Sequence, residues 1–450
     1  MRTVAVVGGG ITGLVTAYEL QKAGAAVSLF EASDHVGGPI RSFHENGYLA
    51  EAGPNTLLET STDISSLIEE LGIASQQVYA NAVSKKRFIV RNHKPIAVPT
   101  SPPTFISSPL FSLSAKLRLL REPFISKKKD GVDESLADFV RRRLGQEFLD
   151  YAIDPFVSGV YAGDPEKLSA KHAFAKVTAL EEKYGSLIRG QIKGAKERKK
   201  SNTVSKDRAK MFSFDQGLQV LIDALVFQLK AVVNLQTPID RIEQNQGWNL
   251  FSNMRSVGIF DAVVLTMPAY ALSTLPVNGK QPLSSLSEIY YPPVTSLALG
   301  FRREDVAHPL DGFGMLIPKA EGYKILGTLF SSTLFPNRAP DGKVLLTTYI
   351  GGARNPEIAL LGDEQLVEVV LNDLRDLLGV TGKPTYVHRT MFKKAIPQYN
   401  VGYQKYKNEM DDFEKSNPGL YLAGNFRTGI SVSDCINAAI AFSKKLEKTA

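Results

Sequence analysis

The chain has 450 residues, 43% of them apolar and 22% charged, which fits a folded globular protein and excludes a largely disordered one. At roughly 150 residues per unit, the length allows about three domain-sized units. Lys and Arg outnumber Asp and Glu by 53 to 46, and the single cysteine, Cys435, excludes an internal disulfide and a Cys-rich metal site and points to a reducing compartment.

The opening reads as strand, turn, helix, strand. Thr3–Val7 is β-branched and apolar, and Gly8, Gly9, Gly10 and Gly13 follow. A helix is predicted over residues 12–23 from the stripe Leu14, Ala17, Tyr18 and Leu20, with Gly24 just past its end. Residues 26–31 form the second strand and complete a βαβ unit of about thirty residues. The first strand runs straight into glycines rather than a cleavage site, so no targeting peptide is expected. No run reaches the roughly 18 apolar residues of a membrane span, so any membrane contact is expected to be peripheral.

Residues 100–121 differ in texture. Pro102, Pro103 and Pro109 precede an amphipathic run in which Phe105, Leu110, Phe111, Leu113, Leu117 and Leu120 stand beside Lys116, Arg118 and Arg121. Two readings stay open: core packing, or a membrane-facing surface. Helices are predicted over 135–149 and 171–194. Residues 189–210 hold nine basic and two acidic residues, a surplus of seven that equals the net charge of the whole chain. That stretch reads as a solvated loop, with anionic lipid or a polycarboxylate substrate as the alternatives. No aromatic residue interleaves its charges, so nucleic acid is not expected as a partner. Strands are predicted over 258–266, 294–301, 324–330 and 343–350, followed by a helix over Asp363–Leu378. The end repeats the opening, with a strand over 419–422, then Gly424 and Gly429, then a helix over 432–446. This layout implies a dinucleotide-binding unit drawn from both chain ends, with an insertion that is part helix and part sheet.

Gly8-Gly9-Gly10-Ile11-Thr12-Gly13 follows a strand and opens a helix. In that setting Gly8 permits the tight turn, Gly10 the approach of a pyrophosphate to the helix N-terminus, and Gly13 close helix–strand packing. Glu31, at the end of the second strand beside Ala32, suits a ribose diol and would repel a 2′-phosphate. Val36-Gly37-Gly38-Pro39-Ile40-Arg41 and Gly53-Pro54-Asn55-Thr56 follow, and Ala423-Gly424-Asn425-Phe426-Arg427-Thr428-Gly429-Ile430-Ser431-Val432 stands near the other end. The set resembles the FAD-binding amine oxidase superfamily and favours FAD over NAD. Arg41, as a planar fork, suits the pyrophosphate or is a surface arginine on an edge strand.

Asp154-Pro155-Phe156-Val157-Ser158-Gly159-Val160-Tyr161-Ala162-Gly163-Asp164-Pro165, continued to Ser169, carries a narrower resemblance. With Arg87-Phe88, Gly312-Phe313-Gly314-Met315-Leu316, the run 331–340 and Tyr349-Ile350-Gly351-Gly352, it resembles the plant-like protoporphyrinogen oxidase family over essentially the whole chain. The resemblance implies an α/β fold, with a Rossmann-like FAD-binding domain (1–82, 212–268 and 415–450) and an inserted mixed α+β substrate domain (83–98 and 269–414). A helical membrane-associating domain (99–211) completes it. It implies oxidation of protoporphyrinogen IX to protoporphyrin IX, with non-covalent FAD, molecular oxygen as acceptor and hydrogen peroxide as product. Arg87 then pairs with a substrate propionate and Gly159 leaves room for the macrocycle. Phe313, Gly314, Leu316, Leu329 and Tyr349 wall the pocket, Tyr349 standing where the family often has phenylalanine or methionine. The implied cofactor contacts are Gly8, Gly9, Gly10, Ile11, Thr12, Gly13, Glu31, Ala32, Gly38, Pro39, Arg41, Gly53, Pro54, Asn55, Thr56, Ile239, Gly424, Asn425, Ile430, Ser431 and Val432. Taken alone, Arg87 reads as one of three basic residues on a solvated turn, Gly159 as a turn glycine, and Leu316 and Leu329 as strand core. A cytoplasmic protein with peripheral membrane contact, and a homodimer, are the further expectations.

No Ser/His/Asp set, carboxylate pair or metal-binding histidine spacing stands out among the six histidines, and no catalytic base is named. The rivals are coproporphyrinogen III as substrate, with nearby lysines holding its two extra propionates, and a flavin-free lipid chaperone akin to GDP-dissociation inhibitors.

Overall fold

The computed structural model describes residues 2–128, 132–198, 209–229 and 232–448. Five parallel strands stand in the order Val232–Asn234, Ala26–Phe30, Thr3–Val7, Ala262–Leu265, Leu420–Leu422. Their residues are short aliphatic runs buried on both faces, as a covered parallel sheet requires. On one face Leu14 and Val15 of helix Ile11–Lys22 share a core with Ile222 of Gln219–Gln228 and with Ile436 and Ile440 of Val432–Lys448. Trp248, Leu250 and Phe260, from an antiparallel three-stranded sheet, cover the other face together with Tyr399 and Tyr403. Thr3–Val7 lies in the middle, where the strand order reverses, and a crevice opens there beyond the strand ends.

The strand predicted over 258–266 is two strands in different sheets: Arg255–Phe260 belongs to the antiparallel sheet and Ala262–Leu265 to the parallel one. The chain changes sheet at Asp261, whose carboxylate accepts the Thr3 N–H at 2.7 Å. Apolar residues flank Asp261 on both sides, Ile259-Phe260 before it and Ala262-Val263 after it, and a single interrupting residue does not mark a change of sheet.

A second sheet has seven strands in the order Tyr386–Phe392, Val294–Arg302, Lys343–Gly351, Ile325–Leu329, Gly314–Leu316, Phe88–Arg91, Lys94–Ala97. All neighbours are antiparallel except Gly314–Leu316 with Phe88–Arg91. Helix Asp363–Leu378 covers one face through Leu366, Val370, Leu374 and Leu378, which pack on Leu297, Leu299, Leu346 and Ile350. Alternation along the strands then turns Leu316 and Tyr349 to the opposite face, toward the crevice.

The region between the sheets is helical but more broken than predicted. Gly145, at φ 97°, separates Leu136–Arg143 from the turns leading to Asp154–Tyr161, and Gly185, at φ 71°, separates Ala175–Tyr184 from Leu187–Arg198. These glycines take left-handed conformations that end a helix at little steric cost. Arg143, fully buried, joins the region by pairing with Glu122 and Glu181. The basic stretch starts on helix Leu187–Arg198 rather than a loop, while its residues 199–208 lie outside the described residues. No described helix is long and apolar enough to cross a membrane.

Candidate functional site

One cavity of about 2240 Å³ runs from the glycine turn to the seven-stranded sheet. At its first end Gly8 has φ 112°, and a Cβ on Gly13 would stand 1.9 Å from the Gly8 carbonyl oxygen. Gly13 therefore serves helix–strand packing and does not line the cavity. Gly10 differs: a Cβ there would meet no protein atom within 4 Å, and the residue faces the cavity. Helix Ile11–Lys22 starts at Gly10 with no side-chain cap, which leaves first-turn N–H groups for an anion. The Glu31 carboxylate is held in place by the Gly9 N–H at 2.6 Å and by the Ser33 N–H and hydroxyl, both at 2.8 Å. Ala32, Gly38, Pro39 and Ile239 stand nearby on the wall. These features fit a dinucleotide: open space at the glycine where phosphate would sit, free helix-end donors, and an oriented carboxylate with lone pairs to spare.

Arg41 does not join this wall. It is exposed, with its guanidinium 5.2 Å from the Phe43 ring centroid. Arg41 directly precedes strand Ser42–Glu45, and its side chain lies along that strand instead of turning to the glycine loop.

At the middle of the cavity, Gly53, Pro54, Asn55 and Thr56 face Gly424, Asn425, Ile430, Ser431 and Val432. The Ser431 hydroxyl accepts the Asp434 N–H at 3.1 Å and donates to its carboxylate at 2.6 Å, starting the final helix. Cys435 lines the cavity with its thiol directed to the Gly429 carbonyl at 3.7 Å. Tyr349 does more than wall the pocket. Its hydroxyl donates to the Gly53 carbonyl at 2.9 Å and accepts from the Asn55 amide at 2.7 Å, tying the seven-stranded sheet to this turn. Burial pushes its phenol well above the ordinary range, so it stays protonated.

At the far end, register places Ser296, Tyr349, Gly327 and Leu316 in one row across four strands. Helix Asp154–Tyr161 crosses this row, and a Cβ on Gly159 would stand 2.3 Å from Leu316 Cδ2. Phe313, Gly314 and Leu329 also line the cavity. Gly314 has a second constraint, since a Cβ at its φ of 147° would meet the Thr328 carbonyl oxygen at 2.2 Å. Lys85, Arg87 and Lys210 line the mouth, with Arg87 stacked 5.3 Å from the Phe313 ring centroid. The middle member of the basic triplet, Lys86, is instead occupied by Asp311 at 2.5 Å. No histidine lines the cavity.

Sequence reading missed the partner of the 154–165 run. Arg354, just after Gly351-Gly352, donates to Asp154 and to the Ser158 hydroxyl, each at 2.9 Å, and to the Ile317 carbonyl at 2.8 Å. Burial outweighs the facing charge here, raising the Asp154 carboxyl and lowering the Arg354 guanidinium from their ordinary values. Ala162, left-handed at φ 51°, accepts the Ala353 N–H at 2.8 Å. The two motifs, about 190 residues apart, are therefore the two sides of one junction. The only available signal was the coincidence of two conspicuous motifs in one chain.

Comparison with known proteins agrees with this geometry. A family model for flavin containing amine oxidoreductases matches residues 11–444. Protoporphyrinogen oxidase 2 of Arabidopsis thaliana is 40% identical over 466 residues, with 97% of this chain and 92% of that protein covered. Coproporphyrinogen III oxidase of Bacillus subtilis is 30% identical over 455 residues, covering 96% and 95%. Among solved structures, a candidate protoporphyrinogen oxidase from Exiguobacterium sp. 255-15 superposes with a TM-score of 0.83 at 24% identity, covering 100% of this chain and 99% of that one. A putrescine oxidase variant superposes at 0.71 and 15% identity, covering 100% and 99%. These two likenesses establish the fold.

Proposed function

The chain belongs to the flavin containing amine oxidoreductase family, and from that premise we propose that it oxidises protoporphyrinogen IX to protoporphyrin IX with non-covalently held FAD. Molecular oxygen is the acceptor and hydrogen peroxide the product. The observation that carries this reading is the single cavity whose walls hold both the dinucleotide motifs and a flat apolar slot with cations at its mouth. A reduced tetrapyrrole is apolar in its rings and anionic at its rim, and such a slot suits it. The relatives' names support the same substrate class.

Bound FAD would be held by the residues around Gly10, Glu31 and Asn55 and would supply hydride acceptance. The chain's own residues do the rest. Leu316, Leu329 and Phe313 exclude water and present flat apolar contacts. Gly159, having no side chain, lets helix Asp154–Tyr161 pack directly on Leu316 without pushing that side chain into the slot, and Arg87 offers a planar fork to a carboxylate. Position and exclusion of water are the contributions these residues make.

Coproporphyrinogen III is the second reading. Lys85 and Lys210 at the same mouth as Arg87 favour it, because that substrate carries two more carboxylates. The exposure of Ile106 and Leu113 (73% each), Leu120 (68%) and Phe124 (81%) supports peripheral membrane contact. Anaerobic addition of each porphyrinogen to the yellow holoenzyme tests the assignment. Bleaching by protoporphyrinogen IX, reversed by oxygen with release of peroxide, is the expected result. No bleaching by either compound would refute it.

A further inference from the structure

The cofactor-side loop 424–432 is fixed from behind. Its helix Asn425–Thr428 has only four residues, too short to satisfy its own carbonyls. The Tyr399 hydroxyl donates to the Asn425 carbonyl and accepts from the Gly429 N–H at 3.1 Å. The Tyr403 hydroxyl donates to the Phe426 carbonyl at 2.6 Å. Both tyrosines are buried, and neither lines the cavity. Burial holds both phenols well above their ordinary range, so they remain donors.

The opposite side of the same segment is bonded to the helical region. The Tyr399 carbonyl accepts the Ser169 N–H at 2.8 Å, and the Val401 N–H donates to the Lys167 carbonyl at 2.9 Å. The Asp133 carboxylate accepts the Ser169 hydroxyl at 2.6 Å with one oxygen and the Gly402 N–H at 3.0 Å with the other. Segment 399–403 therefore joins the helical region to the loop that borders the cofactor end.

We propose that Tyr399 and Tyr403 are positioning residues for the flavin, and that segment 399–403 transmits the placement of the helical region, through Asp133 and Ser169, to loop 424–432. This requires only the family's flavin and not the identity of the substrate. Its failure is thus distinguishable from failure of the porphyrinogen assignment.

The test uses the holoenzyme and the variants Tyr399→Phe, Tyr403→Phe, Asp133→Asn and Tyr406→Phe. The last is a control, because the Tyr406 hydroxyl contacts Glu288, away from the loop. FAD affinity is read by flavin fluorescence, the flavin environment by visible absorption, and folding by thermal unfolding of the flavin-free protein. Tyr399→Phe is expected to weaken FAD binding about tenfold and shift the visible bands, since a buried carbonyl and an N–H lose their partner together. Tyr403→Phe and Asp133→Asn should each weaken it by roughly threefold, on the same principle, and Tyr406→Phe should leave it unchanged. Unaltered FAD affinity and spectrum in both Tyr399→Phe and Tyr403→Phe would overturn the positioning role, whatever happens to thermal stability. A normal flavin in Asp133→Asn beside a perturbed one in Tyr399→Phe would overturn the transmission.

Discussion

At the glycine-turn end the cavity is bordered by a tightly packed main-chain turn, while at the end facing the seven-stranded sheet it is lined by side chains from several strands. Gly13 meets the Gly8 carbonyl, and Gly10 borders open space. Leu316, Leu329 and Tyr349 instead project from strands, and only register brings Leu316 and Tyr349 into one row across Gly327. Backbone packed as closely as Gly13 on Gly8 tolerates no added atom, whereas a wall of side chains can be reshaped one residue at a time. The common end of the cavity is thus rigid by construction and the other end is adjustable. Such a division suits one cofactor serving different substrates.

The sharpest test of that contrast is Gly13→Val. Its Cβ cannot fit beside the Gly8 oxygen at 1.9 Å, so the turn must shift. Overpacking of roughly 3 kcal/mol corresponds to about 100-fold weaker flavin binding. The protein should purify nearly colourless, and yellow protein with a normal FAD dissociation constant would break the comparison. Gly159→Leu should act at the other end only. The added side chain must push Leu316 into the cavity, which is expected to raise the substrate KM about tenfold while flavin content and spectrum stay normal. Loss of flavin in that variant would mean that the two ends are not separable.

Tyr349→Phe probes a hydroxyl that joins the ends. Losing its bonds to Gly53 and Asn55 costs about 1 kcal/mol, a change of roughly fivefold divided between FAD affinity and kcat. A change in KM alone would assign Tyr349 to the substrate wall only.

The smallest effect is expected behind that clasp, at Glu51. Burial pushes its carboxyl from 4.5 up to about 7, outweighing the Ser42 hydroxyl, the Leu218 N–H and an Arg338 guanidinium 4.0 Å away. A folded-state value above the unfolded one means that folding favours the protonated form. The associated stability is full below the unfolded value of 4.5 and is lost as pH rises through about 7. The melting temperature of the wild type should therefore drop between about pH 5 and about pH 7, and Glu51→Gln should flatten that drop by roughly 2 °C. An unchanged slope would show that Glu51 is ionised in the fold.

The difference between the ends also explains what could be read in advance. Helix Asp363–Leu378 was legible to the residue because its apolar stripe faces a single sheet. Gly8, Gly10 and Glu31 were legible because a dinucleotide turn needs glycine at fixed local spacing. Arg41 stands off the wall, as the surface-arginine reading has it, because proximity in sequence to Gly38 does not fix where a long side chain points. The corner at Asp261 was hidden because apolar residues stand on both sides of it, Phe260 ending one strand and Ala262 starting the next. Arg354 and Tyr399 were invisible because their partners, Asp154 and Gly429, lie far away along the chain.

The sequence by itself determined the two glycine turns, the amphipathic helices and the family signature, since each depends on backbone freedom or periodicity within a few residues. Only the tertiary structure decided that Leu316 faces Gly159, that Tyr349 clasps Gly53 and Asn55, and that segment 399–403 bridges the helical region to the cofactor loop. The physical reason is range. Local sterics act between neighbours in the chain, whereas these contacts exist only once strand register and helix packing have brought distant segments within bonding distance.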